Sequence, residues 1–170
     1  EGKVDFLREL ARRFRIPRRE KFVIYPYSRD VEGELFRWIK ENIPEDAPII
    51  SLHYLSPQIL TYTGRATVLN DFFESSRLRK KAQGFLSALY SNEENLYDFC
   101  RSYKARYLLV SSAVGCDPTK DSPMYQAGLL TLPQKSAAFR FMFEPDSLDY
   151  FRLVYENEMY RVFQIGASPL

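Results

Sequence analysis

Cysteine and histidine are almost absent from this chain: its 170 residues include 2 Cys and 1 His. That excludes a disulfide scaffold and a Cys-rich zinc module. Glycine is also sparse, at 7 residues, and none falls in G-x-G-x-x-G or G-x-x-x-x-G-K-[ST]. The usual phosphate-cradling loops of nucleotide-binding proteins are therefore missing. There is no G-x-S-x-G elbow, and His53 is the only imidazole that could act as a base, which removes the serine hydrolases. No apolar run reaches the ~18 residues of a membrane span. No secretory leader is visible, and the chain starts at Glu1 rather than Met, as expected of a piece trimmed from a longer protein. Low-complexity tails, internal repeats and domain-splitting linkers are absent too.

What is present describes one ordinary globular domain. Apolar residues make up 45% and charged residues 27%, and a chain this long buries enough surface to fold without a metal or disulfide. Aromatics are abundant, with 13 Phe and 12 Tyr against one Trp. The net charge of +2 is unevenly spread. Residues 1–21 hold 8 Lys+Arg and 4 Asp+Glu, whereas the rest holds 16 and 18. The basic character thus belongs to an N-terminal arm, not to a broad face of the kind that binds nucleic acid.

Periodicity places the elements. Val4, Leu7, Leu10, Ala11 and Phe14 predict an amphipathic helix over 3–15, stopped by Pro17, and Phe22 to Tyr25 reads as a short extended piece. Val31, Leu35, Trp38, Ile39 and Ile43 predict a helix capped by Asp30 and ended by Pro44. Residues 47–53 read as a buried strand and Ser56-Pro57 as a helix start, with Gly64 at that helix's C-terminal turn. Residues 65–69 read as a second strand. Helices follow over 76–90 and, from a Ser91-Asn92-Glu93-Glu94 capping box, to Tyr103. Residues 105–112 form the clearest strand, 137–143 a helix, and 151–155 with 159–165 a terminal hairpin. The order predicts an α/β fold: a three-layer-like sandwich with a small, mainly parallel sheet flanked by helices and a C-terminal β-hairpin at its edge. Residues 1–21 are expected to be a basic arm and 22–170 a single α/β domain.

Few residues carry chemistry. His53 falls at the C-terminal end of a central strand, where open α/β sheets bind ligands. Asp71 and Glu74 follow the second strand, so a His/Asp/Glu metal site is conceivable, but no pair such as H-x-x-x-H supports it and no metal is expected. The plainer account of His53 is a hydrogen bond to a neighbouring loop. From Arg65 to Arg79 a strand runs out into a carboxylate pair and then into an arginine-rich helix. Arg65, Arg77 and Arg79 neutralising Asp71 and Glu74 is the structural account; a polar cleft lined by His53, Tyr54, Asn70, Asp71 and Glu74 is the functional one. Cys100, on a helix face with Leu96 and Tyr103, reads as a buried small hydrophobe, with a Cys100–Cys116 disulfide as the oxidising-compartment alternative.

The middle of the chain, roughly 30–112, resembles the globular extracytoplasmic domain of type-C integral-membrane glycosyltransferases. Its nearest likeness is to bacterial relatives of the protein C-mannosyltransferases, and more distantly to oligosaccharyltransferase catalytic subunits. The residues that carry the likeness are Leu35, Trp38-Ile39, Asn42 to Ala47, Tyr62 to Arg65, Leu69-Asn70, Phe73-Glu74, Leu78-Arg79 and Tyr107 to Val110. The resemblance implies a parent with many transmembrane helices that moves a sugar from a polyprenyl-phosphate carrier to an acceptor. Its catalytic carboxylate would lie in a loop between membrane helices, so no catalytic residue and no cofactor is expected here. Substrate-binding residues implied for this chain are His53, Tyr54, Arg65, Asn70, Asp71, Glu74 and Arg79. Expected partners are the parent's own transmembrane region, a lipid-linked sugar donor or acceptor, and a membrane surface through residues 1–21; the location is the extracytoplasmic face of a membrane. Two departures stand out. The Trp-Trp-Asp acceptor signature of oligosaccharyltransferases is replaced by Ser51 to Ser56, and Asn70-Asp71 stands where C-mannosyltransferases carry His-Pro. A free-standing protein- or glycan-binding domain is the competing reading.

Overall fold

The computed structural model describes residues 29–70, 75–111 and 122–166. The expected helix at 3–15, the extended piece at 22–25, the basic arm, Asp71, Glu74 and Cys116 lie outside those residues. Helix α1 spans Arg29–Asn42, and Asp30 falls inside its first turn instead of capping it. Strand β1 covers only Ile49–Ser51, because His53–Leu55 wind into a 3-10 turn that leads straight into α2, Ser56–Thr63. Gly64 closes α2 in the left-handed region at φ 70°, a conformation that costs glycine little. Helices α3, Ser76–Leu89, and α4, Glu93–Ser102, precede β2, Tyr107–Ser111. A short α5, Pro123–Gln126, α6, Ala137–Phe143, and a 3-10 turn over Pro145–Ser147 lead to the hairpin of β3, Phe151–Glu156, and β4, Tyr160–Ile165.

The four strands lie in the order β1-β2-β4-β3. β1 and β2 are parallel; β4 runs antiparallel to both β2 and β3. The hairpin therefore supplies two of the three pairings, and the sheet is mixed. The predicted strand at 65–69 contributes one parallel bridge, Ile49 with Thr67, at the outer side of β1. Its ladder goes no further, and the next carbonyl, that of Val68, accepts from the Lys81 ammonium at 2.5 Å.

Alternation along the strands sorts the core into two layers. Ile49, Leu109 and Val162 face one side, where Leu35, Ile39 and Ile43 of α1 and Ile59 of α2 pack on them. Ile50, Leu108, Val110 and Phe163 face the other, against Phe85 and Leu89 of α3, Leu96 and Cys100 of α4, and Phe141 of α6. Helices cover both faces, so the three-layer α/β arrangement follows from the period of two in the strands and of 3.6 in the helices. β4 sits between β2 and β3, which is why Tyr160 to Phe163 are all buried and not half-exposed as at a sheet edge.

Candidate functional site

The C-terminal ends of β1 and β2 come together through side chains. Ser51 closes β1 with a buried hydroxyl that donates to the Leu52 carbonyl at 3.2 Å and lies 3.3 Å from the Ser56 hydroxyl. Three residues on, the Tyr54 hydroxyl reaches the Ser111 hydroxyl at the end of β2, at 2.9 Å. His53 stands beside it, its ring edge-on to Tyr54 with centroids 5.8 Å apart. Tyr54 keeps 37% of its surface exposed. Two hydroxyls, an imidazole and the start of α2 thus meet at the place where open α/β sheets present side chains to ligands. This arrangement can exchange hydrogen bonds with a polar ligand and stack against an apolar one.

Of the other residues singled out by sequence, Asn70 lies on the segment beyond the Thr67 bridge, and its Oδ1 is buried without a hydrogen-bond partner. Arg79 is exposed in the first turns of α3. Arg65 is turned to another task. It is buried, and its guanidinium donates to the carbonyls of Ile43 at 2.7 Å, Lys40 at 2.8 Å and Thr63 at 3.1 Å, with exposed Glu45 at 3.7 Å. It closes the C-terminal end of α1 and joins it to the end of α2, where a cation meets the negative end of the helix dipole. The expected neutralisation of Asp71 and Glu74 by Arg65, Arg77 and Arg79 falls on carboxylates that lie outside the described residues; Arg77 and Arg79 are exposed on α3.

Two buried charges escaped sequence reasoning. Glu93, the first residue of α4, is 4% exposed; its carboxylate accepts the Asp149 and Tyr150 amides at 2.9 and 2.7 Å and pairs with Arg140 of α6. Arg161 is 2% exposed; it donates to Glu156 at 2.6 and 2.9 Å and to the Phe141 and Met142 carbonyls at 2.5 and 2.8 Å. A single charge inside the otherwise apolar run Met159 to Phe163 is the available signal for Arg161. Cys100 is a free, buried thiol, and burial pushes its pKa up to about 12. It behaves as a small hydrophobe and not as a nucleophile. Among the described residues no group of three or more His, Cys, Asp or Glu side chains is placed to hold a metal ion. No helix among them is long and apolar enough to cross a membrane.

Comparison with known proteins adds three findings. The sequence profile of Dpy19, described as Q-cell neuroblast polarisation, matches residues 10–165. No curated protein matches the chain by sequence. Among solved structures, the C-terminal globular domain of an oligosaccharyltransferase from Archaeoglobus fulgidus is similar with a TM-score of 0.65 at 20% identity, covering 85% of this chain and 99% of that one. A second C-terminal globular domain of oligosaccharyltransferase from the same organism gives 0.55 at 16% identity, over 82% and 97%. The intact archaeal oligosaccharyltransferase AglB, solved with an inhibitory peptide and a dolichol-phosphate, gives 0.52 at 14% identity; 92% of this chain covers 29% of that protein. At these identities the structural likeness concerns the fold.

Proposed function

This chain belongs to the Dpy19 family, and on that premise we propose that it is the globular, non-catalytic domain of a membrane glycosyltransferase that takes its sugar from a polyprenyl-phosphate carrier. The Dpy19 profile spanning residues 10–165 is the observation that carries this reading. The fold agrees with it, since a domain of the same architecture forms the C-terminal part of an oligosaccharyltransferase. More specifically, the parent is a bacterial relative of the protein C-mannosyltransferases, and the domain stands on the extracytoplasmic face. Its role is to shape access of donor or acceptor. The ends of β1 and β2, with His53, Tyr54 and Asn70, are the surface offered to the substrate, and Asp71, Glu74 and Arg79 extend it. Arg65 fixes the junction between the C-terminal ends of α1 and α2, so in this reading it acts by position and not by contact.

The chemistry of the described residues fits a binding role. Ser51 with Ser56 and Tyr54 with Ser111 form hydrogen-bonded pairs, polar groups suited to exchange hydrogen bonds with a bound ligand. The test has two arms. The isolated chain, incubated with lipid-linked sugar donors and candidate acceptors and followed by mass spectrometry, gives no glycosylated product. In the intact membrane enzyme, Tyr54→Phe combined with His53→Ala raises the acceptor KM while leaving the domain folded. Turnover by the isolated chain would overturn the reading.

A further inference from the structure

The surface of α3 differs in charge from that of the other long helices. α1 carries four acidic residues and α4 three; α3, Ser76–Leu89, carries none, and holds Arg77, Arg79, Lys80 and Lys81 in five consecutive positions. Beside these cations runs an open groove of about 850 Å³, between the first half of α3 and the C-terminal half of α4. Arg77, Lys80 and Lys81 line it together with Phe99 and Tyr103, and Gly84 is part of its wall. A side chain at position 84 would meet the Phe99 ring at 3.1 Å, so glycine lets the aromatic wall close on the helix. Among the described residues no acidic side chain lines this groove. Asp71 and Glu74, just before α3 in the chain, lie outside the described residues.

One cation of the set is held in place. The Lys81 ammonium donates to the Val68 carbonyl at 2.5 Å and lies 4.3 Å above the centre of the Tyr103 ring. Arg77, one turn earlier, faces it with the same charge, an arrangement that is unfavourable on a helix. The Lys81 pKa is accordingly lowered, first by burial and then by Arg77. An anion placed over the groove would relieve that repulsion. Tyr103, 39% exposed, adds an aromatic ring with a polar tip, the kind of side chain that settles where apolar matter meets water.

Resting on the reading of this chain as a domain of a membrane glycosyltransferase, we propose that the groove of Arg77, Lys80, Lys81 and Tyr103 docks the domain on the anionic phosphate headgroups of a lipid bilayer. Charge selects that occupant. A membrane presents many phosphates in one plane, which suits several cations on one exposed helix face, and the aromatic wall can enter the headgroup layer. This contact is separate from the surface at the ends of β1 and β2 and does not depend on residues 1–21.

The test is co-sedimentation of the full chain with vesicles. One set contains one-third phosphatidylglycerol in phosphatidylcholine; the other is phosphatidylcholine alone. The intact chain binds the anionic vesicles, binds the neutral ones far less, and releases as salt rises from about 50 to 500 mM. Each basic residue near such a surface is worth about a 5-fold change, so Arg77→Gln with Lys80→Gln weakens binding by about 30-fold. Arg37→Gln with Lys135→Gln removes the same charge elsewhere and changes binding much less. Equal loss in both double variants would reduce the effect to net charge and overturn the groove. Binding to neutral vesicles as strong as to anionic ones would overturn it as well. Circular dichroism on each variant establishes that the fold is retained. None of these outcomes bears on glycosyl transfer by the intact enzyme, so the docking contact and the functional reading fail separately.

Discussion

The two faces of the sheet are tied by different buried charges: a cation on one side, an anion and a cation on the other. On the α1 and α2 side, Arg65 lays its guanidinium across the carbonyls of Lys40, Ile43 and Thr63. On the α3, α4 and α6 side, Glu93 opens α4 and gathers the Asp149 and Tyr150 amides while pairing with Arg140. Each charge stands at the helix end of matching polarity, a cation at a C-terminus and an anion at an N-terminus. Arg161 repeats the first pattern at the end of α6, on the Phe141 and Met142 carbonyls. In this fold, burial of a charge marks a junction between elements. The ligand surface proposed at the ends of β1 and β2 is built from hydroxyls and rings instead.

The largest expected effect breaks that comparison at its stronger side. Glu93→Ala leaves Arg140 without its buried partner and two amides without an acceptor, so it costs about 3–5 kcal/mol. Arg65→Met keeps the aliphatic stem and leaves neutral carbonyls, but no charge, without a partner, so it costs about 1–3 kcal/mol. Urea unfolding of both variants measures the difference. Equal costs would mean that orphaned carbonyls weigh as much in this fold as the orphaned charge of Arg140.

The sequence made the layers legible but not these junctions. α1, α2, α3, α4 and the hairpin follow from apolar spacing, from Pro44 and from the left-handed Gly64, all of which are local signals. Residues 65–69 have the composition of a strand, yet they make a single bridge, and the Val68 carbonyl accepts from a side chain of α3 instead. That is a tertiary event with no local trace. Sheet order is equally non-local: placing β4 between β2 and β3 turns Arg161 inward, whereas an edge position would have left it in water. The candidate site shows the same division. His53 and Tyr54 were placed by the rule that strand ends carry ligand-binding side chains, and they do lie just past β1. The Tyr54 partner, Ser111, is 57 positions away and depends on β1 and β2 being neighbours.

A smaller effect separates the two cores by pH. Cys100 lies in the core on the α3 and α4 side, and burial raises its pKa from 9.0 to about 12. The unfolded thiol ionises first as pH rises, so its contribution to stability is full below pH 9 and is lost between about pH 9 and 12. Denaturation midpoints of the native chain should fall across that window more steeply than those of Cys100→Ala. Parallel curves for the two would show that the thiol ionises in the folded state as readily as in water.

The smallest effect contrasts the starts of α3 and α4. Asn92 caps α4 through its side-chain oxygen, which accepts the Asn95 amide at 2.9 Å, and the acidic Glu93 and Glu94 follow in the first turn. Ser75 precedes α3 without any side-chain capping bond, and the first turn of α3 has no acid. Asn92→Ala should therefore cost about 1 kcal/mol, whereas Ser75→Ala should change stability by no more than about 0.3 kcal/mol. The sharper variant is Ser75→Asp. It places a carboxylate at the positive end of α3, next to the cationic groove, where such a charge stabilises by about 0.3–1 kcal/mol at low ionic strength. Raising the salt to about 0.5 M should remove most of that gain, because the position is exposed and screening acts on it fully. A gain that survives salt would come from a new capping hydrogen bond to the α3 amides, and the start of α3 would then differ from that of α4 only in lacking a cap, not in its electrostatic field.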